Sequence, residues 1–350
     1  MIGHFVYNLF SYSGAAFQAL KLASQIKSYR SVLFNIGTSK EIKFARKEGV
    51  LIIDLPRNYL KRLVVIHAIS KRLNIKVYHL HGYILTGIIP GILLGKTLIL
   101  KSTMLGDDDL QAITSKGWIH RQILNRVSCV ISISSPLEIQ NQKVIDKYGY
   151  IIKHKKITNG IIIPDKACVK ENVFIIVGVI APRKRTLEGI EYFKKYYAQH
   201  GSKLFVIGPN PNEMDLLEMN KEYFNECKSA ASGCEGTIVF TGVLNKSELN
   251  AYYSKALAIL LFSHKEGMPN CILEGMSFNC VPLLTPIKQI AYDIVKDGLE
   301  GFIIDDFSRE IFLKEISNLS YENRPYLRVG ESFNLKKLAL EHEENYRNCI

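Results

Sequence analysis

Seven cysteines (129, 168, 227, 234, 271, 280 and 349) include no C-x-x-C pair and no Cys/His spacing of the metal-binding kind. A disulfide framework and a zinc module are therefore not expected; reduced, mostly buried thiols in the cytoplasm are. The opening Met1-Ile2-Gly3-His4-Phe5-Val6-Tyr7 lacks a basic start followed by an apolar core, so no secretory signal is read. Long apolar runs are missing too. Residues 83–100 come nearest to membrane-spanning length, but Gly87, Pro90, Gly91, Gly95 and Lys96 break them, which predicts a helix and a strand. No helix-turn-helix, zinc-finger or RNP-like pattern occurs, and nucleic acid is not an expected partner.

What is present is ordinary globular material, 47% hydrophobic and 22% charged, in a length suited to two α/β domains. The net charge of +12 is lopsided: residues 1–165 hold 23 Lys+Arg against 9 Asp+Glu, and the rest hold 22 against 24. An excess of +14 in the first half fits an anionic membrane surface or a phosphate-bearing acceptor. Short apolar, β-rich runs at 4–9, 31–37, 50–55, 75–82, 96–103 and 129–135 alternate with helical stretches, as do those at 173–177, 203–209, 237–242, 256–262, 280–286 and 301–305. This alternation predicts mostly parallel sheets with helices on both faces, and ligands gathering at the carboxyl ends of the strands.

One stretch stands out, Ser263 to Phe278, S-H-K-E-G-M-P-N-C-I-L-E-G-M-S-F. It places Glu266 and Glu274 eight positions apart behind an apolar strand, with Gly267 and Pro269 between them. The layout predicted is strand, tight loop, then a helix with Pro269 in its first turn. Such a helix start offers backbone N–H groups and the positive end of its dipole to a diphosphate, and Gly267 admits a close ligand. Glu274 has two acceptor oxygens for the vicinal hydroxyls of a ribose, and Glu266 can accept from the hydroxyls of a transferred sugar. By spacing alone the pair is also what an ordinary solvated helix face would carry. A second feature is the cationic turn after the 173–177 strand, Gly178-Val179-Ile180-Ala181-Pro182-Arg183-Lys184-Arg185. Cations there suit a leaving diphosphate, on which charge builds as the glycosidic bond breaks.

E-G-M-P-N-C-I-L-E resembles the E-x7-E signature of the retaining nucleotide-sugar glycosyltransferases of family 4. Asp297-Gly298-Leu299-Glu300-Gly301-Phe302 is similar to that family's D-G-x-x-G stretch, and Lys156-Ile157-Thr158-Asn159-Gly160-Ile161 to its N-G-V/I segment. The cationic turn is similar to G-R-x-x-x-x-K, with Lys184 in the lysine place and Val179 where arginine stands, so that Arg183 or Arg185 supplies the second charge. Asn279 follows the helix where the family has glycine, and asparagine is the next best residue for a left-handed cap. The resemblance implies the GT-B fold: two Rossmann-like domains facing a central cleft, at 1–165 (acceptor) and 166–325 (donor), with a terminal helix in 326–350 returning to the first domain. It implies donor contacts from Ser13, Gly14, Arg183, Lys184, Arg185, Gly208, Gly242, Glu266, Gly267, Met268, Pro269, Asn270 and Glu274. Ser13-Gly14 matches the family's glycine-rich loop in part, and Gly208 and Gly242 end strands that resemble its I-V-G and F-x-G elements.

Candidate catalytic residues are Glu266, Lys184, His81 and Asp107. His79 and His81 sit two apart at a strand end and so share a face. The loop Lys101-Ser102-Thr103-Met104-Leu105-Gly106-Asp107-Asp108-Asp109 has no histidine where many family members do, and Asp107 is the candidate substitute. Its three adjacent carboxylates read as a solvated acidic loop, since neighbours in sequence rarely converge on one ion. The helical stretch 57–74 carries Lys61, Arg62, Lys71 and Arg72 and reads as docked on its sheet with its cations solvated, with a membrane-surface role as the lesser alternative.

The reading is a transferase that moves a sugar from a UDP- or GDP-sugar to a hydroxyl of a glycan acceptor in cell-surface polysaccharide synthesis, with a polyprenyl-diphosphate-linked glycan as the candidate acceptor. Neither metal nor cofactor is expected, because protein cations stand in for the metal. In such retaining enzymes the leaving diphosphate helps deprotonate the incoming hydroxyl. The expected location is cytoplasmic, peripheral on the inner membrane face. The rivals are a nucleotide-sugar epimerase of the same fold and a non-catalytic basic protein that binds glycan or nucleic acid.

Overall fold

The computed structural model describes residues 1–9, 14–37, 39–164, 169–214, 216 and 218–350. Two compact units emerge, one formed by Met1–Gly160 with Leu335–Ile350 and the other by Ile161–Asn334.

The first unit is an eight-stranded sheet of β1 (Ile2–Tyr7), β2 (Ser31–Ile36), β3 (Lys43–Lys47), β4 (Val50–Leu55), β5 (Val77–His81), β6 (Thr97–Ser102), β7 (Cys129–Ser132) and β8 (Lys153–Lys156), in the order β3-β4-β2-β1-β5-β6-β7-β8. All neighbours are parallel except β3, which runs antiparallel to β4. β5 and β7 are buried at every position, as expected of parallel strands covered on both faces. The two edges, Lys-Phe-Ala-Arg-Lys and Lys-His-Lys-Lys, carry charge instead, which discourages pairing with another chain. Because they lack apolar runs, neither was among the predicted strands. One sheet face packs Phe5, Phe34, Ile53, Tyr78, Leu80 and Leu98, with the Phe5 and Phe34 rings stacked at 4.7 Å.

The broken apolar stretch resolves as predicted into a helix, Leu85–Leu93, and β6. Among the described residues no helix is long and apolar enough to cross a membrane. The six described cysteines are free thiols; Cys168 lies outside the described residues. Helix Tyr59–Arg72 begins at Asn58, whose side chain accepts from the Lys61 N–H at 3.0 Å. It buries only Ile66 and Ser70, while Tyr59, Leu60 and Val64 stand exposed. Its outward face is thus apolar as well as basic, which the reading of a docked helix with solvated cations did not include.

The C-terminal helix Leu335–Cys349 closes the opposite face of this sheet with Leu338, Ala339, His342 and Tyr346. It is held by Glu343, 4% exposed, whose carboxylate accepts from the Ser28 hydroxyl, from the Ser28 N–H at 2.9 Å and from the Lys27 N–H. Burial opposes this charge, but the hydrogen bonds from Ser28 and Lys27 prevail and hold the carboxyl below its ordinary range.

The second unit is a six-stranded, wholly parallel sheet of β9 (Glu171–Val177), β10 (Lys203–Ile207), β11 (Ile238–Gly242), β12 (Ala256–Leu261), β13 (Val281–Leu284) and β14 (Phe302–Ile303), in the order β11-β10-β9-β12-β13-β14. The chain steps outward from β9 to β11, then crosses back to β12 and continues to β14. The strand order therefore reverses between β9 and β12, and in the first unit between β1 and β5.

A carboxyl with a depressed folded pKa contributes stability above its unfolded value and loses it as pH falls through the folded one. Glu343→Gln is expected to lower stability at neutral pH by about 1–3 kcal/mol. It should also flatten the pH dependence at and below the ordinary glutamate range, as read by thermal unfolding from pH 7 to pH 3.

Candidate functional site

In an open parallel sheet the loops on either side of a reversal in strand order diverge, and the space between them at the carboxyl ends of the strands is where ligands collect. In the second unit those loops follow β9 and β12. The first carries the cationic turn and the second the first glutamate.

Residues Pro182–Lys184 form a single tight turn after β9, and Arg185 adopts a left-handed conformation that starts helix Thr186–Tyr196. The two loops are stitched together by the His264 N–H, which donates to the Arg183 carbonyl at 3.0 Å. Across this seam the Lys184 ammonium lies 2.7 Å from Glu266 Oε1. Arg183 Nη1 is 3.3 Å from the same oxygen and donates to the Lys265 carbonyl at 2.7 Å, while its Nη2 reaches Glu218 Oε2 at 2.7 Å. Burial works against the Arg183 charge, but Glu266 and Glu218 hold its pKa above the ordinary value. Glu266 is 8% exposed and Lys184 largely covered, while Arg183 reaches them from a partly exposed position. Arg185 does not join them in the described contacts: its Nε is 2.6 Å from Glu188 Oε1 and its guanidinium lies over the Phe307 ring. Of the two alternatives for the second cation, the structure brings Arg183 to Glu266.

After Glu266 the chain runs through buried Gly267, Met268 and Pro269 into helix Asn270–Ser277. Pro269 is the cap of this helix, not a residue of its first turn as predicted, and the first helical residue is Asn270. Ile272, Leu273 and Met276 are fully buried and fix the rotation of the helix. Asn279 takes the left-handed conformation after it, with φ 67°, and donates to the Ser320 carbonyl at 2.7 Å. Glu274 stays partly exposed, 3.0 Å from the Lys246 ammonium and 3.5 Å from the Tyr253 hydroxyl. Cys271, in the first turn, is pushed up to about 12 mainly by burial, and it feels the charges of Lys184, Glu266 and Glu274 together. Lys184 and Glu266 thus meet just before this helix, and Glu274 stands in its second turn against Lys246.

The floor of the site is the row of strand ends at β9, β10 and β11. Gly178 donates to the Ile207 carbonyl at 2.9 Å, and Gly208 donates to the Gly242 carbonyl at 3.0 Å. A Cβ on Gly208 would stand 2.0 Å from the Gly178 carbonyl oxygen, and its φ is 143°, so only glycine fits.

A model of the family described as glycosyl transferases group 1 matches residues 158–332, half of the chain. The chain belongs to that family. A relative of this group 1 protein, the amylovoran biosynthesis glycosyltransferase AmsD of Erwinia amylovora, is 25% identical over 150 residues, which are 43% of this chain and 39% of that one. The match thus spans well under half of that relative. A glycosyltransferase from Rickettsia africae superposes with TM-score 0.73 at 14% identity, covering 99% of this chain and 98% of the other. Anabaena HepE, in complex with UDP and glucose, gives TM-score 0.73 at 14% identity and covers 99% of both chains. Likeness at this identity shows the fold, which is GT-B.

The remaining predicted residues belong to the first unit. Gly14 opens helix Gly14–Gln25, and Ser13 lies outside the described residues. His81 ends β5 and is 6% exposed, its Nε2 3.1 Å from His4 Nδ1; as predicted, it shares a face with His79, the two rings stacking at 4.2 Å. Asp107 is exposed, but Asp108 and Asp109 are buried, so the acidic loop is not a solvated one. Asp108 accepts from the Thr103 and Met104 N–H groups at 2.7 and 2.8 Å, and Asp109 caps helix Leu110–Ser115 through the Ala112 N–H at 2.9 Å. Burial nonetheless pushes Asp108 up to about 6.

Four neighbours of the charged cluster escaped the sequence reading: Glu218, Lys246, Tyr253 and Cys271. Only Lys246 left a trace, since Asn245-Lys246-Ser247-Glu248 spells a capping box just past Gly242, which places Lys246 at a helix start.

Gly208→Ala is expected to destabilise the protein by about 2–4 kcal/mol, the sum of overpacking and backbone strain. Urea unfolding measures this, with an alanine at the unobstructed Gly233 turn as the control for strain alone.

Proposed function

We propose that this group 1 protein is a retaining glycosyltransferase that moves a sugar from a nucleoside diphosphate to an acceptor hydroxyl. The observation that carries the reading is the convergence of Lys184 and Arg183 on Glu266 beside a helix start, with Glu274 one helix face further on. In the resting protein Glu266 pairs with both cations, and Glu218 supplies the second negative charge at Arg183. A bound diphosphate brings its own charge to Lys184 and Arg183, releasing Glu266 to accept from hydroxyls of the transferred sugar. Glu274, on a rigid helix, exchanges Lys246 for the two ribose hydroxyls. As the sugar–phosphate bond breaks, Lys184 and Arg183 stabilise the charge that accumulates on the leaving group. The diphosphate then takes the proton of the hydroxyl that attacks from the same face, so retention needs no protein nucleophile. A UDP- or GDP-sugar is the proposed donor, and the complex of HepE with UDP supports the uridine form.

The proposed acceptor is a lipid-linked glycan of a surface polysaccharide, handled by a protein peripheral to the cytoplasmic membrane face. Support comes from the amylovoran transferase similarity, from the +14 excess over residues 1–165, and from the exposed Leu60 and Val64 among Lys61, Lys71 and Arg72.

UDP or GDP at 100 times its Kd should stabilise the protein by about 2.7 kcal/mol. Lys184→Ala and Glu274→Ala should each lose most of that shift in a thermal-unfolding panel. Lys184→Ala should also lower kcat about 10²–10³-fold. An unshifted melting temperature with every nucleotide would overturn the donor assignment. Donor turnover without acceptor would point to an epimerase instead.

Vesicles containing anionic lipid should sediment the protein, and Leu60→Asp with Val64→Asp should release it. Equal binding to neutral vesicles, or no effect of the double variant, would refute the membrane assignment.

A further inference from the structure

The reversal of strand order in the first unit brings β1 beside β5, and there histidines accumulate. His4 pairs in register with His79, and the pleat returns His81 to the same face two residues later. On the next strand Lys101 pairs with His81, and the C-terminal helix lays His342 and Tyr346 over the group. All four imidazoles are at least nine-tenths buried.

Their hydrogen bonding is incomplete. His4 Nδ1 and His81 Nε2 share one contact at 3.1 Å, and His79 Nδ1 meets the Tyr346 hydroxyl at 2.7 Å. The Nε2 atoms of His4 and His79, and Nδ1 of His342, have no hydrogen-bond partner. A buried polar atom without a partner is costly, and three in one cluster call for an occupant. A neutral imidazole carries a lone pair on its unprotonated nitrogen, which a metal ion can take. One ring nitrogen from each of His4, His79 and His81 lies within 4.8 Å of the other two.

The geometry points to a binding site for one divalent transition-metal ion of the Zn2+ class, held by His4, His79 and His81. A set of three imidazoles suits Zn2+, Co2+ or Ni2+ and not Mg2+ or Ca2+, whose shells are built from oxygen. His79 binds through Nε2, because its Nδ1 is taken by Tyr346; a partner on the far nitrogen is what orients a metal-binding histidine. His342 adjoins His79, their ring centroids 5.4 Å apart, but stands outside the set of three, which leaves the fourth position to water. The buried Lys101 ammonium is the unfavourable neighbour. It donates to Asn159 Oδ1 at 3.1 Å, and burial lowers its pKa to about 8. Its charge sets an upper limit on affinity and provides a test of opposite sign to the ligand variants.

The inference is independent of the donor site, which lies in the other unit, and its readout is binding, not turnover. The full chain, stripped with a chelator, is titrated with Co2+ and followed by the visible absorption of tetrahedral Co2+. One equivalent should bind, and Zn2+ should displace it. Tyr346→Phe, which removes only the orienting hydroxyl, should weaken binding about 10–100-fold with an unchanged circular dichroism spectrum. His79→Gln and the double variant His4→Asn with His81→Asn should abolish the band, and Lys101→Met should tighten binding at least tenfold. The assignment is overturned if the wild-type protein gives no saturable band. It is equally overturned if the histidine variants bind as the wild type does, which would place the ion on exposed histidines such as His67.

Discussion

A parallel sheet cannot reverse its strand order without separating two neighbouring loops at the carboxyl ends of its strands, and the chemistry of this protein follows from that constraint. In the second unit the reversal falls between β9 and β12. The loop after β9 carries Arg183 and Lys184, the loop after β12 carries Glu266, and the three meet in a salt-bridged cluster. The rest of the unit serves this meeting. Apolar residues at 272, 273 and 276 fix the helix that presents Glu274, and the glycines at the ends of β9 and β11 leave room for the Lys184 and Glu213 side chains.

The cluster also explains how two neighbouring cations are tolerated in the folded protein. Two cations close together in a poorly hydrated place repel and lose solvation, which is unfavourable unless a carboxylate answers them. Glu266 answers both, and Glu218 takes the outer edge of Arg183. The same carboxylate that pairs with both cations is the one proposed to accept from the sugar when the diphosphate arrives. Such exchange needs no large rearrangement, only a change of partners within hydrogen-bonding reach.

In the first unit the equivalent reversal, between β1 and β5, gathers neutral imidazoles instead of charges. The Tyr346 hydroxyl and His342 come from the C-terminal helix, which Glu343 fastens to the Lys27–Ser28 backbone. The interior of this unit is therefore completed by residues from the far end of the chain, and the histidine cluster depends on the helix being docked.

The alternation of apolar runs with helical stretches was enough to predict two parallel sheets, because strands buried on both faces must be apolar throughout. The E-x7-E spacing behind an apolar strand located the glutamate loop and helix, and Asn279 marked the helix end, since few other residues tolerate a positive φ. These are local properties, written within a dozen residues. The charged edge strands β3 and β8 were illegible, because their residues answer to solvent and not to a core. Nor could sequence choose between Arg183 and Arg185, which differ only in where a left-handed residue sends the chain. His4 and His79 stand 75 positions apart, and Tyr346 follows much later still. Only the pairing of β1 with β5 and the return of the last helix set them side by side, because contact between distant residues is a property of topology and not of spacing.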